Sequence, residues 1–167
     1  MDSAKDSGKG SGKGSGKDSA MSELPFWERL TLSEMSRTEW ESLCDGCGKC
    51  CLHKLEDESN GEVHYTRVVC RYLEQKQCRC TVYTKRKKLV PTCVVMEPGE
   101  LDNLYFMPST CAYRLLSEGK GLPIWHPLIT GDRKALIASD NAITGKVISD
   151  EFVHEDGLEE HIVHWVK

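Results

Sequence analysis

The sequence has no apolar run near the roughly 18 residues that a membrane-spanning helix needs, which excludes a simple transmembrane anchor. Neither Met1 nor Met21 is followed by the apolar stretch of a secretory signal, so the expected location is cytoplasmic, where thiols stay reduced. Residues 1–20 lack aromatic and branched aliphatic side chains altogether, and five of them are glycine. Such a segment cannot bury enough apolar surface to offset its ordering entropy and reads as a flexible leader, appended before a natural start at Met21. No nucleophile elbow, no P-loop and no internal repeat is present, so no catalytic residue is assigned and an enzyme is not the favoured reading. Aromatic residues make up only 7% of the chain, and residues 44–93 hold few large apolar anchors.

What remains is one domain, 21–167, of a size that buries about 68–70% of its unfolded surface. The whole chain carries a formal charge of −4. An acidic balance gives no global attraction to nucleic acid or anionic lipid, so neither is an expected partner. Lys85, Arg86, Lys87 and Lys88 form one basic run, read first as a solvated face that also offsets nearby thiolate charge.

Nine cysteines stand out against this background. The odd number sits poorly with complete disulfide pairing, and in a reducing compartment the excess points to metal chemistry. Cys44, Cys47, Cys50, Cys51, Cys70, Cys78, Cys80 and Cys93 fall within fifty residues, Cys111 lies apart, and residues 112–167 have none. The chain therefore divides into a thiol-rich half, 44–111, and an acidic half, 112–167, that offers a surface for a protein partner.

In Cys44-Asp45-Gly46-Cys47-Gly48-Lys49-Cys50-Cys51 the Cys-x-x-Cys spacing can bring two sulfurs to one tetrahedral ion. The glycines accept left-handed turns in which backbone N–H groups point at sulfur and favour the metal-binding thiolate. Neighbouring residues point apart, so Cys50 and Cys51 are expected to serve different ions, or one the core, unless both enter a polynuclear cluster. Cys44, Cys47 and Cys50 match the opening of the bacterial iron–sulfur run, but the fourth cysteine should follow three residues later and precede proline. Here Cys51 and Leu52 follow at once, which favours zinc over iron or an iron–sulfur cluster. Cys78-Arg79-Cys80 is too tight for one knuckle, and Cys111 reads equally as a core thiol or a ligand. His53 is a weaker ligand candidate, as are His154, His161 and His164, while His126 reads as structural.

The expected fold is α+β, small, irregular and metal-stapled, with helices dominant, or else mainly α. Pro25-Phe26-Trp27 forms an apolar docking patch. Ser36 and Glu39 have capping-box spacing before a helix through Leu43. Residues 54–62 read as a turn and 63–69 as a strand. A helix is expected from Pro98 to Pro108, and another capped by Thr110 and closed by Gly119. Lys146–Ser149 reads as a strand, and Leu158, Ile162, Trp165 and Val166 have the spacing of a final amphipathic helix.

The chain resembles an uncharacterised bacterial cysteine-cluster family, the CxxCxxCC or YcgN-like group. The match rests on the Cys44–Cys51 octapeptide, Cys70-Arg71-Tyr72-Leu73, Cys80-Thr81-Val82-Tyr83 and Pro91 with Cys93. It continues through Met107–Leu115 and Leu122–Leu128. The resemblance implies a domain chelating zinc or iron through about eight cysteines, and it supplies no reaction. Cys78 stands outside the wider pattern, and residues 85–90 lengthen the stretch before Pro91.

Overall fold

The computed structural model describes residues 24–98 and 103–167; the leader at 1–20 lies outside them. Two apolar cores organise the chain. The first gathers Met35, Trp40, Leu43, Leu104, Met107, Ala112 and Tyr113. The second gathers Leu52, Tyr65, Val69, Leu73, Cys78, Ile143 and Val166.

Short helices build the first core. α1 (Phe26–Arg29) starts after Pro25 and packs Phe26 and Trp27 against it, as the apolar patch implied. α2 (Arg37–Ser42) begins with a complete capping box: Ser36 Oγ accepts from the Glu39 N–H, and the Glu39 carboxylate accepts from the Ser36 N–H at 2.9 Å. This cap orients Trp40, which is 1% exposed and whose indole donates to Met96 O at 3.0 Å. Ser36→Ala is expected to cost about 1 kcal/mol, read as a lower denaturant midpoint with unchanged slope.

The second core is built on strands. β1 (Leu52–Glu56) and β2 (Val63–Val69) form an antiparallel hairpin with a register shift between Leu52 and Lys54. Beyond a two-stranded hairpin, β3 (Leu73–Glu74) and β4 (Arg79–Cys80), a 3-10 turn at Tyr83–Lys85 leads into α3 (Arg86–Leu89). α4 (Ala112–Ser117), α5 (Pro127–Thr130) and α6 (Lys134–Ala138) follow, and β5 (Ile148–Ser149) pairs in parallel with β2. No helix among the described residues is long and apolar enough to cross a membrane.

Several expectations are corrected. Helices do not dominate: no α-helix among the described residues exceeds six residues, and two small sheets make the fold mixed α+β. Nor is it mainly α. The expected final helix is a 3-10 segment, Glu155–His161, followed by Ile162 bridged to Thr66. Pairing with β2 overrides the helical spacing there, with the Val163 N–H donating to Tyr65 O. The turn expected from residue 54 begins later, because Lys54, Leu55 and Glu56 pair with β2. The helix expected from Pro98 lies partly outside the described residues, and the chain at Leu104–Met107 turns instead. α4 has Cys111, not Thr110, at its N-cap, and the left-handed Gly119 closes it.

Candidate metal centre

The octapeptide runs out of α2 between the two cores. Leu43 anchors its start with no exposed surface, and buried His126 fixes the same point. His126 Nδ1 accepts from the Leu128 N–H at 3.1 Å, so Nε2 carries the hydrogen and donates to Leu43 O at 3.0 Å. The histidine is thus structural, as its sequence setting suggested. Asp45 Oδ1 accepts from the Cys47 N–H at 2.9 Å, closing the first turn. Gly46 and Gly48 take the left-handed conformation, at φ +72° and +81°. Distant residues pin this loop. Arg133 donates to Gly46 O at 2.7 Å, and the Ile143 N–H donates to Cys47 O at 3.0 Å.

Cys50 and Cys51 sit in a 3-10 turn, Lys49–Cys51. Consecutive side chains on such a turn step by about 120°, three residues completing a turn, so they do not point apart as in a strand. The two sulfurs are 4.0 Å apart. This corrects the expectation of divergence, although the two residues still face different surroundings: Cys50 packs on the first core and Cys51 on the second.

Electrostatic neighbourhoods sort most of the thiols. Cys44 is pushed up to about 12, by burial first and then by Cys50, Asp45 and Cys111, with the Gly46 N–H opposing them. Cys44 itself borders solvent, which tempers that rise. Cys47 is raised by burial, then by Asp45, Cys50 and Cys44, against the Lys49 N–H. Cys111 is raised to about 11 by burial, with Cys50 and Asp45 adding to it and the N–H groups of Arg114 and Tyr113 opposing. One neighbourhood therefore contains Cys44, Cys47, Cys50 and Cys111.

The other contains Cys51, Cys70, Cys80 and Cys93. The hydrogen bond shared with Cys50 is the main influence on Cys51, followed by burial and then by Cys50, Cys70 and Cys93, all raising it. The same hydrogen bond lowers Cys50 against burial, with the Lys54 ammonium assisting. Cys70, at the end of β2, is raised by burial and, among its neighbours, by Asp150 and Cys80, while the Tyr72 N–H lowers it. Cys93 is raised by burial, and Cys50, Cys80 and Cys70 contribute while Arg86 opposes. Backbone bonds draw these segments together: the Cys70 N–H donates to Cys51 O at 3.0 Å, and β4 pairs Cys80 with Leu73.

Cys78 is placed differently. It is buried in the second core at φ +50°, and its thiol contacts Thr144 Oγ1 at 3.4 Å and Gln75 O at 3.7 Å. The histidines do not join the thiols. His53 Nε2 lies 3.1 Å from Asp150 Oδ2, His154 caps the 3-10 segment, and His161 Nδ1 accepts from Arg67 Nε at 3.1 Å. His164 lines an open groove of about 550 Å³ between β2 and the C-terminal segment. The basic run lies on and beside α3, where Arg86 stacks 3.7 Å from the Tyr83 ring centroid.

The residues fit a thiolate-bound metal. Among the described residues, no three histidine, cysteine or carboxylate side chains already converge on one point. Even so, an N–H two residues ahead acts on Cys44, Cys47, Cys70 and Cys111, the polarity that favours thiolate. Two residues that the sequence did not flag add positive charge. Lys49 is 3% exposed, with Nζ donating to Thr110 Oγ1 at 3.1 Å and Asn141 Oδ1 at 3.4 Å. Lys54 turns its ammonium inward to Cys50 O at 2.9 Å and Leu52 O at 3.0 Å. Their positions inside the octapeptide and in an apparent polar turn concealed them.

Residues 43–112 match the CxxCxxCC family model, described as "Putative zinc- or iron-chelating domain". A UPF0260 protein of Marinobacter nauticus is 49% identical over 146 residues, covering 87% of this chain and 99% of the relative. One from Cellvibrio japonicus is 52% identical, covering 84% and 96% respectively, and one from Pseudomonas putida is 50% identical, covering 83% and 93%. No solved structure matches the chain. The thiol-rich octapeptide and the near-full-length similarity agree: the chain belongs to the uncharacterised UPF0260 family and carries its metal-chelating CxxCxxCC domain.

Proposed function

We propose that the protein is a cytoplasmic zinc protein in which eight of the nine thiols hold two ions and staple the domain, 21–167, into one folded unit. Cys44, Cys47, Cys50 and Cys111 hold one ion, and Cys51, Cys70, Cys80 and Cys93 hold the other. Cys78 is a core residue. The observation that carries this reading is the Cys50–Cys51 turn: Cys50 packs with Cys111 on the first core, while Cys51, its sulfur 4.0 Å away, packs on the second and accepts the Cys70 N–H at its carbonyl. Four thiolates match the closed coordination of a structural zinc, which leaves no open position for chemistry. The role is therefore structural or regulatory, with the acidic half available to a protein partner.

Elemental analysis with an absorption spectrum of anaerobically purified protein tests the reading. About two zinc ions per chain and no visible colour are expected. The close approach of the Cys50 and Cys51 sulfurs favours one second reading, a polynuclear iron centre. Broad visible charge-transfer bands with stoichiometric iron would establish it instead. Cys111→Ser is expected to lower the zinc content to about one ion per chain, whereas Cys78→Ser keeps about two. Loss of an ion from Cys78→Ser would overturn the proposed ligand sets.

A further inference from the structure

Lys54 has a surface residue's sequence setting and an interior residue's contacts. It follows the octapeptide by three residues, in β1, where a lysine can ordinarily reach solvent. Its ammonium instead donates to the carbonyls of Cys50 and Leu52 and lies 5.4 Å from the centroid of the Tyr65 ring. No carboxylate among the described residues pairs with it. Carbonyl and ring contacts alone leave an inward-facing cation short of balancing charge. The neighbours placed to supply it are the thiols of the adjoining turn: Cys50, whose carbonyl it holds at 2.9 Å, and Cys51, whose sulfur lies 4.0 Å from that of Cys50. Cys50 belongs to one proposed ligand set and Cys51 to the other.

We infer that Lys54 is the charge-balancing residue of the metal centre, its ammonium offsetting excess thiolate charge where the two ligand sets meet. The inference rests on the metal reading above. Four thiolates around a divalent ion leave a net charge of −2, and two such sites side by side repel each other. A fixed cation at the junction reduces that repulsion and favours loading of both sites. Lys49 and Arg133 are placed otherwise: Lys49 donates to Thr110 and Asn141, and Arg133 to the carbonyls of Gly46 and Gln77. Lys54 is thus a positioning residue for charge and not a ligand, since an ammonium has no lone pair to donate.

The test is zinc competition against a chromophoric chelator at neutral pH, with the full chain and three variants. Lys54→Arg keeps the charge. Lys54→Gln keeps a hydrogen-bond donor for the two carbonyls without charge, and Lys54→Met keeps only the aliphatic stem. The neutral variants are expected to lose about 10- to 100-fold in affinity for at least one ion, while Lys54→Arg stays within about threefold of wild type. Thiolate-to-cobalt charge-transfer intensity at saturating cobalt is expected to be equal in all four proteins, reporting an unchanged ligand set. Wild-type affinity in Lys54→Gln would overturn the inference, as would an equal loss in Lys54→Arg, which would make the role steric. Reduced cobalt–thiolate intensity in Lys54→Gln would overturn it too, by showing lost ligands. A wild-type chain that takes up no metal would instead reject the metal reading, a failure seen before any variant is made.

Discussion

Stripping metal from the folded protein is expected to abolish slow amide exchange across residues 44–93. Outside β2 the described residues there offer modest apolar burial: β1 buries only Leu52, and β3 and β4 are two residues each. A structural zinc contributes on the order of 10–16 kcal/mol of apparent binding energy, against a total stability of roughly 5–15 kcal/mol for a typical domain. On the zinc reading, the metal contribution is comparable to everything else that holds this half together. Exchange measured before and after chelation, with metal content verified, is the direct check. Persistent protection of the β1–β2 ladder in metal-free protein would refute the coupling of coordination to folding. The capped helix α2 is expected to retain more structure, because its cap and the Tyr113 OH bond to Trp40 O at 2.9 Å involve no thiol.

Gly48→Ala is expected to be strongly destabilising although it removes no ligand and no core side chain. Gly48 sits at φ +81°, where a Cβ costs about 1–2 kcal/mol. That Cβ would also stand 2.7 Å from Ile143 Cδ1 and 2.8 Å from Ile143 Cγ1, and Ile143 is wholly buried. Overpacking of this kind costs about 1–3 kcal/mol. The combined loss of about 2–5 kcal/mol should appear as a lower denaturant midpoint of the metal-loaded protein. Gly119→Ala supplies the contrast. It has φ +70° but nothing within 4 Å of the added carbon, so only the conformational cost of about 1–2 kcal/mol applies. Equal effects from both substitutions would show that contact with Ile143 contributes nothing.

Features governed by local chemistry were legible in the sequence. Ser36 and Glu39 announced their helix because a capping box is complete within four residues. The glycine turns of the octapeptide were legible for the same reason. Strand β2 was readable from its β-branched composition. What failed depends on distant partners. Leu158, Ile162 and Val166 have helical spacing, yet Thr66 captures Ile162 and the backbone of Tyr65 captures Val163. Lys54 looked like the start of a polar turn because its inward contacts come from Cys50, Leu52 and Tyr65, not from spacing. The proposed grouping of thiols was also hidden, since Cys111 packs on the same core as Cys50 from across more than fifty residues.

The peptide bond between Cys50 and Cys51 is also a boundary, with the first core on one side and the second on the other. Ile143 and Val166, which help close the second core, lie well beyond the 43–112 stretch that holds every cysteine. A fragment trimmed to the cysteines would therefore keep all nine sulfurs and lose the wall that one of its cores leans on. The smallest piece of this chain able to stand by itself is set by where Val166 falls, not by where the thiols stop.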